Sequence, residues 1–170
     1  MSDKYKPLTE DQKHERLGLV GEKIIRNWLV DTGVTVKDSV DPYDKDKDFT
    51  ADGLYVAVKT QIRFVNEDAY TFLPKHRAGL ERAGRVFYVS VPSTMGPHPY
   101  DNCILEIDMK KLKIGKRTVK SGRETFYFKS NDPAVKKVFQ ITDENDKALL
   151  LKYTTSTFAI PRAPDRSYYL

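Results

Sequence analysis

The sequence predicts a single mixed α/β (α+β) domain, in which a mixed β-sheet is flanked by helices and followed by a β-rich C-terminal extension. Three segments carry this prediction: an amphipathic stretch over 9–32, an alternating hairpin over 48–64, and a buried strand over 85–91 that follows a helix-like segment. Because helical and extended patterns are interleaved along the chain, we expect helices that pack against one sheet. A chain of 170 residues can bury the core of such a domain.

The first helix is predicted over 9–32. Thr9 can cap its N-terminus, with Gln12 three residues later as the second member of a capping box. Apolar side chains recur along one stripe of the helix, and Gly33 is a suitable residue to end it. An alternating pattern then predicts a strand over 34–40.

The hairpin over 48–64 turns at Asp52-Gly53, a dipeptide that favours tight hairpin turns. Side chains alternate across its second strand, which gives the strand an apolar face and a polar face. The apolar, core-facing set is Val56, Val58, Thr60 and Ile62. The opposite, polar row is Ala57, Lys59, Gln61 and Arg63. A lysine on such a strand is costly to bury unless its charge is used.

The later elements follow from shorter patterns. In order, they are a short strand over 69–73, a helix over 75–83, the buried strand over 85–91, a strand over 103–107, and strand-like pieces over 125–128 and 148–155. The single domain is therefore divided into a core over 9–108, a basic and β-rich extension over 109–159, and a C-terminal arm over 160–170.

Composition limits the class of function. The net charge of +5 at pH 7 favours a polyanionic partner such as nucleic acid. A lone cysteine, Cys103, excludes an internal disulfide and a cysteine-rich zinc site, and it indicates a reducing compartment. The first residues lack the apolar run that is typical of a signal peptide. No segment approaches the roughly 20 apolar residues of a membrane span. We therefore expect a soluble, cytoplasmic protein without a membrane partner.

An ordered set of motifs points to a known superfamily. The motifs are Gly18-Leu-Val-Gly21-Glu22 on the first helix, Asp48 at the start of the hairpin, and Val56-Ala-Val-Lys59-Thr-Gln61 on its second strand. Over roughly residues 17–91 the chain resembles the PD-(D/E)xK nucleases, which include restriction enzymes and archaeal Holliday-junction resolvases. The resemblance implies a restriction-endonuclease-like fold and Mg²⁺- or Mn²⁺-dependent hydrolysis of phosphodiester bonds in DNA. Many members cleave two strands as dimers, so a homodimer is one open alternative.

The resemblance also implies a role for each motif residue. Asp48 would be the main metal ligand, and Glu22 would be an auxiliary ligand or would hold a water molecule. Lys59 would help to orient the attacking water and would offset the negative charge of the phosphate. Gln61 would position substrate or water. Each residue also has an ordinary alternative interpretation. Glu22 would be a solvated helix residue, and Asp48 would belong to a charged surface loop. Lys59 would reach water from the edge of a sheet.

Position 57 departs from the superfamily pattern, because alanine stands where members carry a second acid and a methyl group cannot bind a metal ion. Three explanations are open. A glutamate has been changed deliberately to alanine; or the acid has moved to Asp46, Asp52 or Glu67; or the domain has lost cleavage and kept nucleic-acid binding as its function. The chain is thus either a metal-dependent nuclease, complete or disabled, or a non-catalytic nucleic-acid-binding protein that retains the fold.

Two groups of cations are candidates for contacts with DNA phosphates. The larger group is Lys110, Lys111, Lys113, Lys116, Arg117, Lys120 and Arg123, and no acidic residue interrupts it. The smaller group is Lys75 and Arg77, at the start of the second predicted helix. Arg63 lies nearby in sequence. Alternatively, the first group is a solvated basic hairpin and the second an ordinary exposed helix start. A small basic interaction protein without a nucleic-acid role is then the remaining candidate.

Overall fold

The computed structural model describes residues 8–38, 49–62, 68–92, 97–118 and 121–154. Within these ranges, three helices and nine strands confirm the predicted mixed α/β class. The helices are α1 (Glu10–Asp31), α2 (Pro74–Arg82) and α3 (Glu144–Tyr153). The strands are β1 (Val36–Asp38), β2 (Phe49–Ala51), β3 (Leu54–Ile62), β4 (Ala69–Phe72), β5 (Arg85–Val91), β6 (Cys103–Ile107), β7 (Gly115–Thr118), β8 (Glu124–Lys129) and β9 (Val135–Gln140).

Six strands form the main sheet, in the order β1-β2-β3-β5-β6-β9. Its neighbouring strands are antiparallel except β3 and β5, which run parallel with Ala57 opposite Val86. Two parallel neighbours need a long crossover connection, and here that connection contains β4 and α2. The crossover therefore places α2 next to β3, the strand that carries Lys59.

A smaller antiparallel sheet has the order β4-β8-β7. Its strand β4 comes from the part of the chain predicted as the core, whereas β7 and β8 come from the predicted extension over 109–159. In the same way β9 pairs with β6, and α3 packs against α1. The extension thus shares both sheets with the core, and the predicted arm over 160–170 lies outside the described residues.

Both faces of the main sheet are buried, and each face has its own hydrophobic cluster. On one face, Val56 and Ile62 pack with side chains of α1 and α3, including Ile24 and Leu150. On the other face, Ala57 belongs to a second cluster with α2 and the small sheet. The face predicted as a polar row is therefore covered, because α2 and the small sheet lie over it.

The ends of α1 are those that the sequence predicts. Thr9 Oγ1 accepts a hydrogen bond from the Gln12 amide at 3.2 Å, and Gln12 Oε1 accepts one from the Thr9 amide at 2.9 Å. Gly33, just beyond the helix, has a φ of 89°, a conformation that glycine adopts without strain. No helix among the described residues is long and apolar enough to cross a lipid bilayer.

One predicted element has the wrong type. The strand-like piece over 148–155 is mostly the helix α3, which Asp143 caps by accepting a hydrogen bond from the Asp146 amide at 2.9 Å. Strand β9 does not follow from the sequence pattern either, because charged and apolar residues succeed each other in it without regular alternation. Both differences lie in the C-terminal third, where the local patterns are short.

Candidate functional site

Lys59 lies between β3 and α2, on the face of the main sheet that also carries Ala57. Its Nζ is 3.1 Å from Nδ1 of His76, in the first turn of α2, and both side chains are half-buried. An ammonium group has no lone pair, so Lys59 donates and Nδ1 accepts. The second helix thus holds Lys59 in place.

Gln61 connects the two sheets. Its Oε1 accepts a hydrogen bond from the Thr71 amide at 2.7 Å, and its Nε2 donates to the Thr71 carbonyl at 3.0 Å. Tyr88 also donates to that carbonyl, at 3.1 Å. Burial raises the pKa of Tyr88 far above its usual value, so this phenol stays protonated as a donor. The amide of Gln61 therefore has a structural role, and its contact with substrate or water stays a prediction.

Ala57 is a core residue in this chain. Only 7% of its surface is exposed, and it packs in the cluster that contains Leu80 and Tyr88. It offers no atom that could bind a metal ion. Because side chains two residues apart share a face, a carboxylate at this position would lie on the same face as Lys59.

Glu22 lies on α1, the helix that packs against the other face of the main sheet. Its Oε1 is 3.3 Å from Nη1 of Arg26, and Arg26 also pairs with Asp38 on β1. Its helix, α1, packs on the face that carries Val56, whereas Lys59 meets α2 on the opposite face. The predicted role of Glu22 in a shared site with Lys59 stays a prediction.

Gly21 lets α1 approach β3 closely. A Cβ atom at this position would lie 1.7 Å from Oγ1 of Thr60, far inside any real contact distance. Oγ1 of Thr60 is buried and has no hydrogen-bond partner among the residues that the structure describes. The glycine of the Gly-Glu motif thus has a packing function that is independent of catalysis.

Several predicted residues lie outside the described ranges: Asp48, Arg63, Lys120, and the alternative acids Asp46 and Glu67. Asp52 is described and serves the hairpin turn, where its Oδ1 accepts a hydrogen bond from the Thr35 amide at 2.9 Å. Asp52 lies in the turn before β3, and from Leu54, where β3 begins, to Ala57 the strand spans roughly 10 Å. The alternative in which Asp52 supplies the missing acid stays a prediction.

The described residues do not by themselves make up a magnesium site. No group of three or more histidine, cysteine, aspartate or glutamate side chains among them could hold a metal ion. Glu22 is paired with Arg26, and Ala57 has no ligand atom. A Mg²⁺ site near Lys59 would thus require ligands beyond those described.

The two basic groups of the sequence meet at Phe126. The guanidinium carbon of Arg77, on α2, lies 4.8 Å from the centroid of the Phe126 ring, and Lys116 is the register partner of Phe126 across β7 and β8. His76 precedes Arg77 on α2 and contacts Lys59, so α2 links Lys59 on β3 with Lys116 on β7. We call this row of side chains the junction surface, and its members are the cations Lys59, Lys75, Arg77 and Lys116, the histidine His76 and the aromatic residue Phe126.

Two ion pairs on the junction surface do not remove its positive character. Arg77 pairs with Glu81 at 2.8 Å and Lys116 pairs with Glu124 at 2.9 Å. All four side chains are more than two-fifths exposed, so solvent screens both pairs and their attraction is weak. A phosphate group can therefore compete with these carboxylates for the two cations.

The remaining cations of the larger basic group are divided among other surfaces. Neighbouring residues of a strand alternate, so Arg117 lies on the opposite face of the small sheet from Lys116. Lys110 and Lys111 line a separate cleft beside Arg85, which donates two hydrogen bonds to Glu106. The hydrogen bond from Arg85 to Glu106 raises the pKa of Arg85. Lys113 and Arg123 are exposed.

Comparison with known proteins adds no assignment. No family model matches the chain, and no curated protein matches it significantly. The function is therefore inferred from the residues and their geometry.

Proposed function

We propose that this chain binds DNA through the junction surface, as a domain of the PD-(D/E)xK nuclease type whose hydrolytic centre lacks the second acid at position 57. The observation that carries the proposal is the contact of Arg77 with Phe126, opposite Lys116. It joins cations from α2 and β7, which are distant in sequence, into one row beside Lys59. Such a row can neutralise several phosphates of one DNA strand.

The start of α2 adds hydrogen-bond donors to the same row. No side chain of the described residues caps this helix end, and no acidic residue stands in its first turn. The first turn of a helix has backbone N–H groups without intrahelical acceptors, and its partial positive charge favours an anion. Lys75 is exposed at this turn. These groups suit a phosphate that lies across the helix end.

The arrangement of the described elements supports the superfamily resemblance. A helix with Gly21-Glu22 precedes three antiparallel strands, the third strand carries Lys59, and a helix and a parallel strand follow. A lysine held half-buried next to position 57 also favours a second candidate function, cleavage of the bound DNA. In this chain, cleavage depends on an acid that Ala57 does not supply.

DNA binding is tested by fluorescence anisotropy with a labelled duplex of about 20 base pairs over a series of salt concentrations. If three or four phosphates are neutralised, the logarithm of the association constant should fall with the logarithm of salt concentration with a slope of roughly −3 to −4. Duplexes of unrelated sequence should bind equally, because phosphate contacts carry no base information. Absent binding, or a slope near zero, would favour the basic interaction protein instead.

A further inference from the structure

A cleft of about 540 Å³ lies at the C-terminal end of α2, where the turn after β6 meets the start of β9. The amide of Asp108, in this turn, donates to the Ala134 carbonyl at 2.9 Å and so joins the turn to β9. Oδ1 of Asp108 accepts a hydrogen bond from the Lys110 amide at 3.1 Å, which shapes the turn. Three lysines from the turn and from β9 thereby line one cleft: Lys110, Lys111 and Lys136.

The cleft has an excess of positive charge. Besides the three lysines, its lining contains the cation Arg85 and the carboxylates of Glu81, Glu106 and Asp108. Arg85 donates to both carboxylate oxygens of Glu106, at 2.8 and 2.9 Å, so these two charges compensate each other. Glu81 pairs with Arg77, which does not line the cleft. Three lysines and the single carboxylate of Asp108 remain, which leaves two positive charges in excess.

The three lysines are accessible to a ligand. All of them are exposed, and no ion pair within the described ranges includes any of them. Lysine ammonium groups are common phosphate ligands in proteins. A phosphate monoester carries about −1.5 to −2 charges at pH 7, whereas each phosphate diester within a DNA strand carries one. The excess charge of the cleft therefore matches a monoester.

The floor of the cleft is apolar. Val86, Ile107 and Ala134 are buried members of the second hydrophobic cluster, and Met109 packs against that cluster. Binding sites for small molecules usually combine an apolar lining with a few polar groups that fix the orientation of the ligand. An apolar floor beside exposed lysines thus suits a molecule that carries both a phosphate and an apolar or planar group.

We propose that this cleft binds a phosphate monoester attached to an apolar or planar group, as in a mononucleotide, with the phosphate on Lys110, Lys111 and Lys136. The site goes beyond the proposed function, because the junction surface includes the first turn of α2 and the cleft lies at the other end of this helix. Two sources have the required chemistry: a free nucleotide and the phosphorylated end of a DNA strand.

Two double variants that lose the same charge test the site. The cleft variant combines Lys111→Ala with Lys136→Ala, and the control variant combines Lys113→Ala with Lys137→Ala. The control lysines are close to the cleft lysines in sequence but do not line the cleft, and all four are exposed. Exposed cations contribute little to stability, so circular dichroism should show melting of both variants within about 4 °C of the unmodified protein.

The probe is thymidine monophosphate in calorimetric titrations. The unmodified protein should bind it with a dissociation constant below about 1 mM. Thymidine lacks the phosphate and inorganic phosphate lacks the apolar part, so each should bind at least about tenfold more weakly. The cleft variant should lose at least about tenfold in affinity for thymidine monophosphate, because it lacks two charged donors to the phosphate. The control variant should bind as the unmodified protein does.

Three results would overturn the proposal: no binding of thymidine monophosphate, binding no tighter than that of thymidine or inorganic phosphate, or equal affinities in the two variants. A single-stranded oligonucleotide with and without a terminal phosphate then identifies the source of the monoester. For a strand end, the terminal phosphate should strengthen binding to the unmodified protein but not to the cleft variant. For a free nucleotide, it should change neither affinity.

A duplex without terminal phosphates separates this site from the proposed function. Both double variants should bind such a duplex alike, since it offers only diesters. A loss in the cleft variant alone would show that its lysines contact diesters, and it would overturn the monoester site. If the unmodified protein binds thymidine monophosphate and no duplex, the proposed function fails and the cleft site stands.

Discussion

Replacement of Gly21 by alanine should destabilise the domain by about 3 kcal/mol, the upper part of the usual range for an overpacked core. The added methyl group would lie 1.7 Å from Oγ1 of Thr60, so α1 must move away from β3 or Thr60 must move into the core. The loss should appear as a lower midpoint of urea denaturation with an unchanged slope.

The same helix supplies a matched control. Gly18 is exposed, and a Cβ atom added there would meet no atom of the described residues beyond its own helix within 4 Å. Gly18→Ala should therefore stabilise the domain by roughly 0.5–1 kcal/mol through helix propensity alone. Adding Thr60→Ala to the Gly21→Ala variant should recover part of the loss, because it removes the atom that is closest. A Gly21→Ala variant as stable as the Gly18→Ala variant would contradict the close approach of α1 to β3.

Replacement of Ala57 by glutamate should give the chain Mg²⁺-dependent cleavage of DNA above any that the unmodified protein shows. The new carboxylate would stand on the face of the main sheet that carries Lys59, at a position only 7% exposed. Cleavage should exceed that of the unmodified protein by at least about 100-fold, the effect typical of one positioned charged group. Plasmid, duplex and single-stranded substrates with and without Mg²⁺ provide the assay.

Ala57→Gln is the control, because glutamine has the size of glutamate without its charge. We expect this variant to bind DNA and to leave it intact. Adding Lys59→Ala to the Ala57→Glu variant should abolish the gained cleavage. If Ala57→Glu folds, binds DNA and cleaves none of the substrates, the chain has only a binding function. If instead the unmodified protein cleaves, another acid serves in place of residue 57.

The first two thirds of the fold can be predicted because local signals there are strong. The capping box at Thr9 and the glycine after α1 mark both helix ends, and the apolar run over 85–91 coincides with β5. The C-terminal third has weaker signals. The run from Ala148 to Leu151 is apolar without helical periodicity, so its pattern favours a strand. The cap at Asp143 and the acidic first turn of α3 are the signals that identify the helix.

Within the candidate site, the sequence predicts only those positions that follow from the alternation of side chains along a strand. Alternation places Lys59 and Ala57 on one face, and the structure agrees. The pairing of β4 with β8 joins segments that are distant in sequence, and no local pattern encodes it. For this reason the role of Gln61 and the meeting of Arg77 with Phe126 could not be foreseen. The motif also does not reveal that α1, the helix that carries Glu22, packs on the face of Val56.

The central claim is that the junction surface binds DNA, and a comparison of two double variants tests it most directly. One variant combines Arg77→Ala with Lys116→Ala. The other combines Lys23→Ala with Lys152→Ala, two exposed cations on α1 and α3 at the opposite face of the main sheet. Both variants lose the same net charge, so they separate a local surface from overall electrostatic attraction.

We predict that the junction variant binds the duplex more weakly at low salt and that its salt slope is flatter by roughly 1.8, twice the contribution of one phosphate contact. The control variant should keep both the affinity and the slope of the unmodified protein within about 0.5 slope units, because its cations lie away from the DNA. Equal losses in the two variants, or no loss in the junction variant, would contradict the account.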